Sequence, residues 1–189
     1  KACYISLLDK SGKLLLKEWP EKARMNVHGD SVSAYCRFQL QDEEALYGLG
    51  QFRDNLMNLR NAKRELVQFN TQAAVPVIYS TGKWGLFWDN PSRTIYADNN
   101  AGMSFVSDYG RIVNYYLFVG DGMDKLVAAY RSLTGVAPML PVWALGYHQS
   151  RNRYATQKEV MEVAKRMKEE NIPASTIFID YHYSVSYTH

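Results

Sequence analysis

Two short polar segments in the last quarter of the chain carry the residue types that could do chemistry. The segment HQSR (148–151) follows one predicted strand, and DYHY (180–183) follows the next. Loops at the carboxyl ends of parallel strands converge on one rim, so functional groups concentrate there. An ionised Asp180 can accept two hydrogen bonds from vicinal hydroxyls, and neighbouring Tyr rings offer faces to a sugar. A plainer interpretation stays open, in which Asp180 pairs with Arg151 or caps the next helix.

Other chemistries find no support in the residue spacing. His148 and His182 have neither HExxH spacing nor a third ligand, so no metal site is predicted. Ser150 lacks a GxSxG elbow, and the glycines of YGLG (47–50) are not followed by a helix, as a dinucleotide loop requires. No second acid stands at a neighbouring strand tip, where a hydrolytic carboxylate pair would need one. The sequence therefore predicts no cofactor, no metal and no catalytic residue.

The charge pattern argues against two classes of partner. The 22 basic and 19 acidic residues give a net charge of +3 and form no block, so neither nucleic acid nor a membrane surface is an expected partner. No apolar run approaches the roughly 18 residues of a membrane span. The 14 Tyr and 4 Trp fit sugar stacking, and they fit an aromatic β-sandwich core equally well.

The elements before residue 135 predict an antiparallel β domain. Apolar residues alternate in SAYCRFQL (33–40), and several similar runs follow, separated by turn-forming residues. Short strands at this spacing indicate a β-sandwich, which we assign to residues 1–135. Its last element is a predicted helix at about 121–134, and a segment with two prolines, 136–142, is the expected linker.

The spacing of apolar residues along the sequence changes after the linker. WALGYHQ (143–149) is predicted as a strand, TQKE (156–159) as the capping box of a helix that Pro173 ends, and STIFID (175–180) as a second strand. Together, the strand, the helix and the second strand are predicted to form one parallel βαβ unit. A single such unit cannot bury both faces of its sheet, so we expect further units downstream or a partner surface.

Five blocks of the chain, in order, resemble glycoside hydrolase family 31, the α-glucosidase and α-xylosidase family. The blocks are LYGLGQ (46–51), QFNTQ (68–72), VPVIYSTGKWGLFWDN (75–90), YRSLTGVAPMLPVWALGYHQSRNRY (130–154) and IPASTIFIDYHY (172–183). The resemblance implies a mostly β chain, with a galactose-mutarotase-like β-sandwich followed by the first strand-helix-strand of a (β/α)8 TIM barrel at 143–183. It also implies retaining cleavage of α-linked sugars by two aspartates on later barrel strands, outside these 189 residues.

The resemblance also suggests substrate-binding residues. Asp180 is similar to the family's aspartate that hydrogen-bonds hydroxyls of the sugar in the −1 subsite, and Tyr181 stands beside it. Asn70 and Gln72 lie in the sandwich loop that is expected to touch the leaving-group sugar, although starch-type members often have an acid at position 72. Asn152 stands where many members have an active-site Trp, and His182 replaces the second acid of a common Asp-x-Asp pattern. These departures resemble the α-xylosidase-type branch.

Two interpretations of function follow. In the first, the chain is the N-terminal part of a glycoside hydrolase for α-linked oligosaccharides and is inactive alone, because it lacks the carboxylate pair. In the second, the sandwich is a stand-alone carbohydrate-binding module.

The final segment, SVSYTH (184–189), matches nothing expected after the strand and resembles a translated sequencing adapter, so we expect it to be non-native.

Overall fold

A computed structural model of the chain describes residues 3–20 and 25–179. The fold divides into two compact units, 1–136 and 137–189. The described part of the first unit holds two β-sheets and one helix, and that of the second unit holds two strands, a helix and a short 3-10 helix.

The first unit is built from short strands. They are β1 (Ser6–Leu8), β2 (Leu14–Glu18), β3 (Met25–His28), β4 (Ser31–Gln39), β5 (Leu46–Gln51), β6 (Lys63–Leu66), β7 (Ala73–Ser80), β8 (Trp84–Trp88), β9 (Thr94–Asn99), β10 (Gly102–Ser107) and β11 (Tyr115–Val119). One sheet has the order β1-β2-β4-β10-β9-β6, with β3 also paired to β4, and the other has the order β11-β8-β7-β5. All pairs are antiparallel. The predicted β-sandwich is confirmed.

Aromatic side chains from both sheets fill the core of this sandwich. Trp88 of the second sheet stacks on Phe105 of the first, with ring centroids 5.3 Å apart, and Phe38 meets Tyr115 edge to face at 5.4 Å. Such ring contacts add to the burial of large apolar area. Both Trp84 and Trp88 are fully buried, so these two tryptophans serve the fold.

Helix α1 (Met123–Thr134) closes the first unit. Leu126 is its buried residue, and the helix is followed by Gly135, whose N–H bonds to the Arg131 carbonyl. The left-handed φ of 93° at Gly135 is a backbone angle that glycine adopts without a Cβ penalty.

The second unit contains the predicted strand, helix and strand. β12 (Tyr147–Arg151) pairs in parallel with β13 (Ala174–Ile179), and α2 (Gln157–Glu169) connects them. The Thr156 hydroxyl accepts from the Glu159 N–H at 3.2 Å, so the predicted capping residue begins the helix.

The start of the first predicted strand was wrong. Val142–Leu145 forms a 3-10 helix, because the Ala144 N–H bonds to the Pro141 carbonyl and the Gly146 N–H bonds to the Trp143 carbonyl. The strand begins at Tyr147. No helix in the described residues is long and apolar enough to cross a membrane.

Candidate functional site

The carboxyl ends of β12 and β13 lie side by side, as the sequence predicted. Arg151 is in register with Ile179, so both strands end at the same edge of the sheet. Asp180 and Tyr181 follow Ile179 directly but lie outside the described residues. Their role in binding substrate stays a prediction.

The segment after β12 is organised by Tyr154, a buried side chain of the second unit. Gln149 donates to the Tyr154 hydroxyl at 3.3 Å and accepts from the Tyr147 hydroxyl at 2.7 Å. The Arg151 guanidinium carbon lies 5.8 Å from the Tyr154 ring centroid, within the range of a cation–π contact. These contacts fix the loop that follows the strand.

His148 has ordinary structural contacts. Its Nε2 lies 3.1 Å from the Ala144 carbonyl, and its ring stacks on Phe178 with centroids 5.6 Å apart. Within the described residues, no group of three His, Cys, Asp or Glu side chains is placed to hold a metal ion.

The turn that joins β6 to β7 holds the other two predicted site residues. Phe69 bridges to Gln72 across the turn, and the Gln72 N–H bonds to the Phe69 carbonyl at 3.2 Å. Just outside, the Gln68 amide donates to the Ala74 carbonyl at 2.7 Å and accepts from the Ala74 N–H at 3.1 Å. The amide of Gln68 thus continues the hydrogen-bond pattern of a strand and closes the turn.

The two predicted residues of this turn are placed differently. Asn70 is exposed at the tip. Gln72 is half-buried, and its Nε2 donates to the Val67 carbonyl at 2.8 Å and the Glu65 carbonyl at 3.4 Å. Asn70 therefore points outward from the turn, whereas the Gln72 amide nitrogen stabilises the turn through these two hydrogen bonds.

Sequence reasoning did not single out Phe69 or Gln68. Phe69 lies next to Asn70 with 58% of its surface exposed. The signal was present in the letters QFNTQ, where two glutamines enclose an aromatic residue and an asparagine. An exposed ring beside an amide is a combination suited to sugar recognition.

An ion-pair cluster fixes the charges at the base of the turn. Arg93 bonds to Glu65 at 2.6 Å and to Asp108 at 3.1 Å. The hydrogen bond from Arg93 is the main cause that lowers the pKa of the Glu65 carboxyl below its ordinary value. Glu65 is therefore ionised at neutral pH, and its charge is matched by a neighbouring cation.

Two family models match the chain in succession. Residues 3–96 match the glycosyl hydrolase 31 N-terminal galactose mutarotase-like domain, and residues 137–189 match the glycosyl hydrolases family 31 TIM-barrel domain. The order of the two matches agrees with the predicted sequence of a sandwich followed by the start of a barrel.

Curated relatives and solved structures give the same picture. The chain is 31% identical over 184 residues to an alpha-xylosidase of Saccharolobus solfataricus and 29% identical over 201 residues to alpha-glucosidase 2 of Bacillus thermoamyloliquefaciens. These alignments cover 93% and 97% of the chain, and 25% of each relative. The crystal structure of a GH31 alpha-xylosidase from a soil metagenome, complexed with xylose, superposes with a TM-score of 0.85 at 30% identity, covering 94% of this chain and 30% of that one. The chain thus spans about a quarter of the length of these curated relatives.

Proposed function

Because the chain belongs to glycoside hydrolase family 31, we propose that the protein containing it hydrolyses α-linked glucosides or xylosides with retention of configuration at the anomeric carbon. The observation that carries the proposal is the unbroken order of sandwich and barrel, along which relatives named alpha-xylosidase and alpha-glucosidase align. A retaining mechanism needs two carboxyl groups about 5 Å apart across the scissile bond. We place both on barrel strands beyond residue 189.

Within this chain, the proposed role is substrate binding. Asp180 accepts hydrogen bonds from hydroxyls of the sugar whose bond is cleaved, and Tyr181 packs beside it. Asn70, at the exposed tip of the β6–β7 turn, hydrogen-bonds the leaving-group sugar. The Gln72 Oε1 atom is an acceptor for the same sugar, because no hydrogen bond from the described residues reaches it while Nε2 holds the turn.

The test uses the complete protein that contains this chain. Aryl α-glucosides and α-xylosides serve as substrates, and proton NMR follows the anomer that is released first. We expect the α anomer, and we expect Asp180→Asn to lower kcat/KM roughly a hundredfold or more, as the loss of a positioned hydrogen bond does elsewhere. Asp124→Asn, on the exposed first turn of α1, is the matched control and should leave kcat/KM unchanged.

Three results would contradict the proposal. One is release of the β anomer, and another is full activity in Asp180→Asn. The third is turnover by the 189-residue chain alone, which we expect to match the blank.

A further inference from the structure

A cleft of about 600 Å³ lies against β5, the edge strand of the second sheet in the described part of the chain. It is bounded by the segment that follows this strand, and its lining includes Tyr47, Gln51, Phe52, Asn55, Met57 and Arg64. We call it the edge cleft. Its volume is within the range of small-molecule sites. Neither Asn70 nor Gln72, the two described residues assigned to substrate binding above, lines it.

One wall of the edge cleft is held by a buried arginine. Arg64 is 6% exposed, and its Nε and Nη2 atoms bond to the two carboxylate oxygens of Asp54 at 2.9 and 2.8 Å. Nη2 also donates to the Leu56 carbonyl at 3.1 Å, and the guanidinium carbon lies 4.3 Å from the centroid of the Phe52 ring. A bidentate pair of this kind fixes both partners. The wall is therefore rigid before any ligand arrives.

The charge of this wall is balanced. Partial desolvation acts to raise the pKa of the Asp54 carboxyl, but the hydrogen bonds from the Leu56 N–H and from Arg64 outweigh it, and the pKa lies below its ordinary value. Asp54 is thus ionised and matches the Arg64 cation at neutral pH. In a site that binds an anion, the positive charge of the arginine would not already be balanced by a neighbouring carboxylate. The edge cleft suits an uncharged ligand.

The remaining lining combines amides with exposed apolar surface. Gln51 and Asn55 are exposed, and so are Leu56 and Met57, with 51% and 79% of their surfaces accessible. The Arg64 Nη1 atom makes no hydrogen bond to any described residue, and it remains a donor in a nearly buried side chain. Hydrogen-bond donors and acceptors beside apolar faces match a ring with hydroxyl groups at its edge and C–H groups on its faces.

The edge cleft adjoins the β6–β7 turn. Gln51 pairs with Ala73 and Gly50 pairs with Ala74 in the β5–β7 ladder, and Ala73 directly follows Gln72. The cleft rim and the turn therefore lie at the same end of the second sheet.

We infer that the edge cleft binds a sugar unit of a neutral α-linked oligosaccharide, beside the sugar contacted by the β6–β7 turn. The choice of a sugar rests on the proposed function, whereas the neutrality and shape of the site rest on the contacts above. Gln51 and Asn55 hydrogen-bond the ring hydroxyls, and Met57 packs against a ring face.

The 189-residue chain is titrated with maltotetraose, isomaltotetraose and a xylose-containing oligosaccharide, and binding is followed by NMR amide shifts. Inorganic phosphate is titrated in parallel as the anionic probe. We expect saturable shifts at residues 47–57 and 64 with an oligosaccharide and none with phosphate. The double variant Gln51→Ala/Met57→Ala should weaken binding about tenfold or more. Both side chains are exposed, so the fold is retained.

Met139→Ala is the matched control, because Met139 is 95% exposed and lies far along the chain from the cleft. Loss of binding in this control equal to that in the double variant would overturn the inference. So would phosphate binding in the cleft, or no saturable oligosaccharide binding up to about 10 mM.

The result is separable from the catalytic proposal. A complete protein that hydrolyses α-glycosides while the cleft stays empty would refute the edge-cleft site alone. Oligosaccharide binding in the cleft, together with no α-glycoside turnover by the complete protein, would support the site and favour the binding-module interpretation over hydrolysis.

Discussion

A single amide, that of Gln72, shows how a residue proposed to bind substrate can also be part of the scaffold. The Gln72 Nε2 atom donates to the Val67 and Glu65 carbonyls. A carboxylate at this position would place oxygen against oxygen and lose both hydrogen bonds. We therefore expect Gln72→Glu to lower the free energy of unfolding of the 189-residue chain by about 1–2 kcal/mol at pH 7, measured by urea denaturation.

The loss of unfolding free energy in Gln72→Glu should be smaller at acid pH, because a protonated glutamate regains one hydrogen-bond donor. Amide hydrogen exchange at residues 69–74 should speed up in Gln72→Glu at neutral pH. Asn100→Asp, an amide-to-acid change in the exposed β9–β10 turn, is the control and should be nearly neutral. A Gln72→Glu chain as stable as the parent would show that the amide does not hold the turn.

At the scale of elements, alternation of apolar residues was enough to predict the sandwich, since the buried positions Ala34, Cys36 and Phe38 follow the period of two. Local pattern left the backbone undetermined where a distant partner decides it. The glycines of YGLG are compatible with a strand or with a turn, and in the structure Gly48 and Gly50 flank a bulge in β5, where the ladder to β7 shifts register. The bulge depends on the partner strand, which no local window contains.

This bulge provides an element-scale prediction. Gly50 has a φ of 99°, and a Cβ placed there would lie 1.9 Å from the Ala73 carbonyl oxygen. Gly50→Ala should therefore prevent cooperative folding or lower the melting temperature far more than a conformational cost of about 1 kcal/mol allows.

Gly12→Ala is the control that separates the steric clash at Gly50 from the conformational cost of a positive φ. Gly12 has a similar φ of 84°, but a Cβ added at this position would have no neighbouring atom within 4 Å. Circular dichroism melts of both variants give the comparison. Equal melting temperatures for Gly50→Ala and Gly12→Ala would show that β5 can shed the bulge without penalty.

At the scale of the whole chain, the sequence predicted the arrangements that follow from local order, but not those that depend on side-chain contacts across strands. The sequence placed Asn70 and Gln72 on one turn and brought the β12 and β13 tips to one edge, because both arrangements follow from local order and parallel pairing. It did not reveal the edge cleft, because Arg64 and Asp54 meet only when β6 closes on the segment after β5. Side-chain partners across strands depend on register, which the sequence pattern leaves undetermined.

The difference in burial predicts unequal stability along the chain. The first unit contains every fully buried aromatic side chain of the described residues, whereas in the described part of the second unit only Tyr154 is buried. Phe178 and Ile179 of β13 are each 53% exposed. Ordering a residue costs about 1–2 kcal/mol of backbone entropy, and the second unit offsets little of it by apolar burial.

We therefore expect hydrogen exchange of the 189-residue chain to separate the units. Peptides from β4, β9 and β10 should be protected up to the global unfolding free energy, and those from β12, α2 and β13 should exchange through a much lower opening free energy. In a Trp143→Phe variant, whose remaining tryptophans all lie in the first unit, fluorescence in urea should give one cooperative transition with the m value of the sandwich alone. In the complete protein, protection of residues 147–179 should rise, because barrel neighbours would cover their apolar faces. Equal protection of both units in the 189-residue chain would contradict this account.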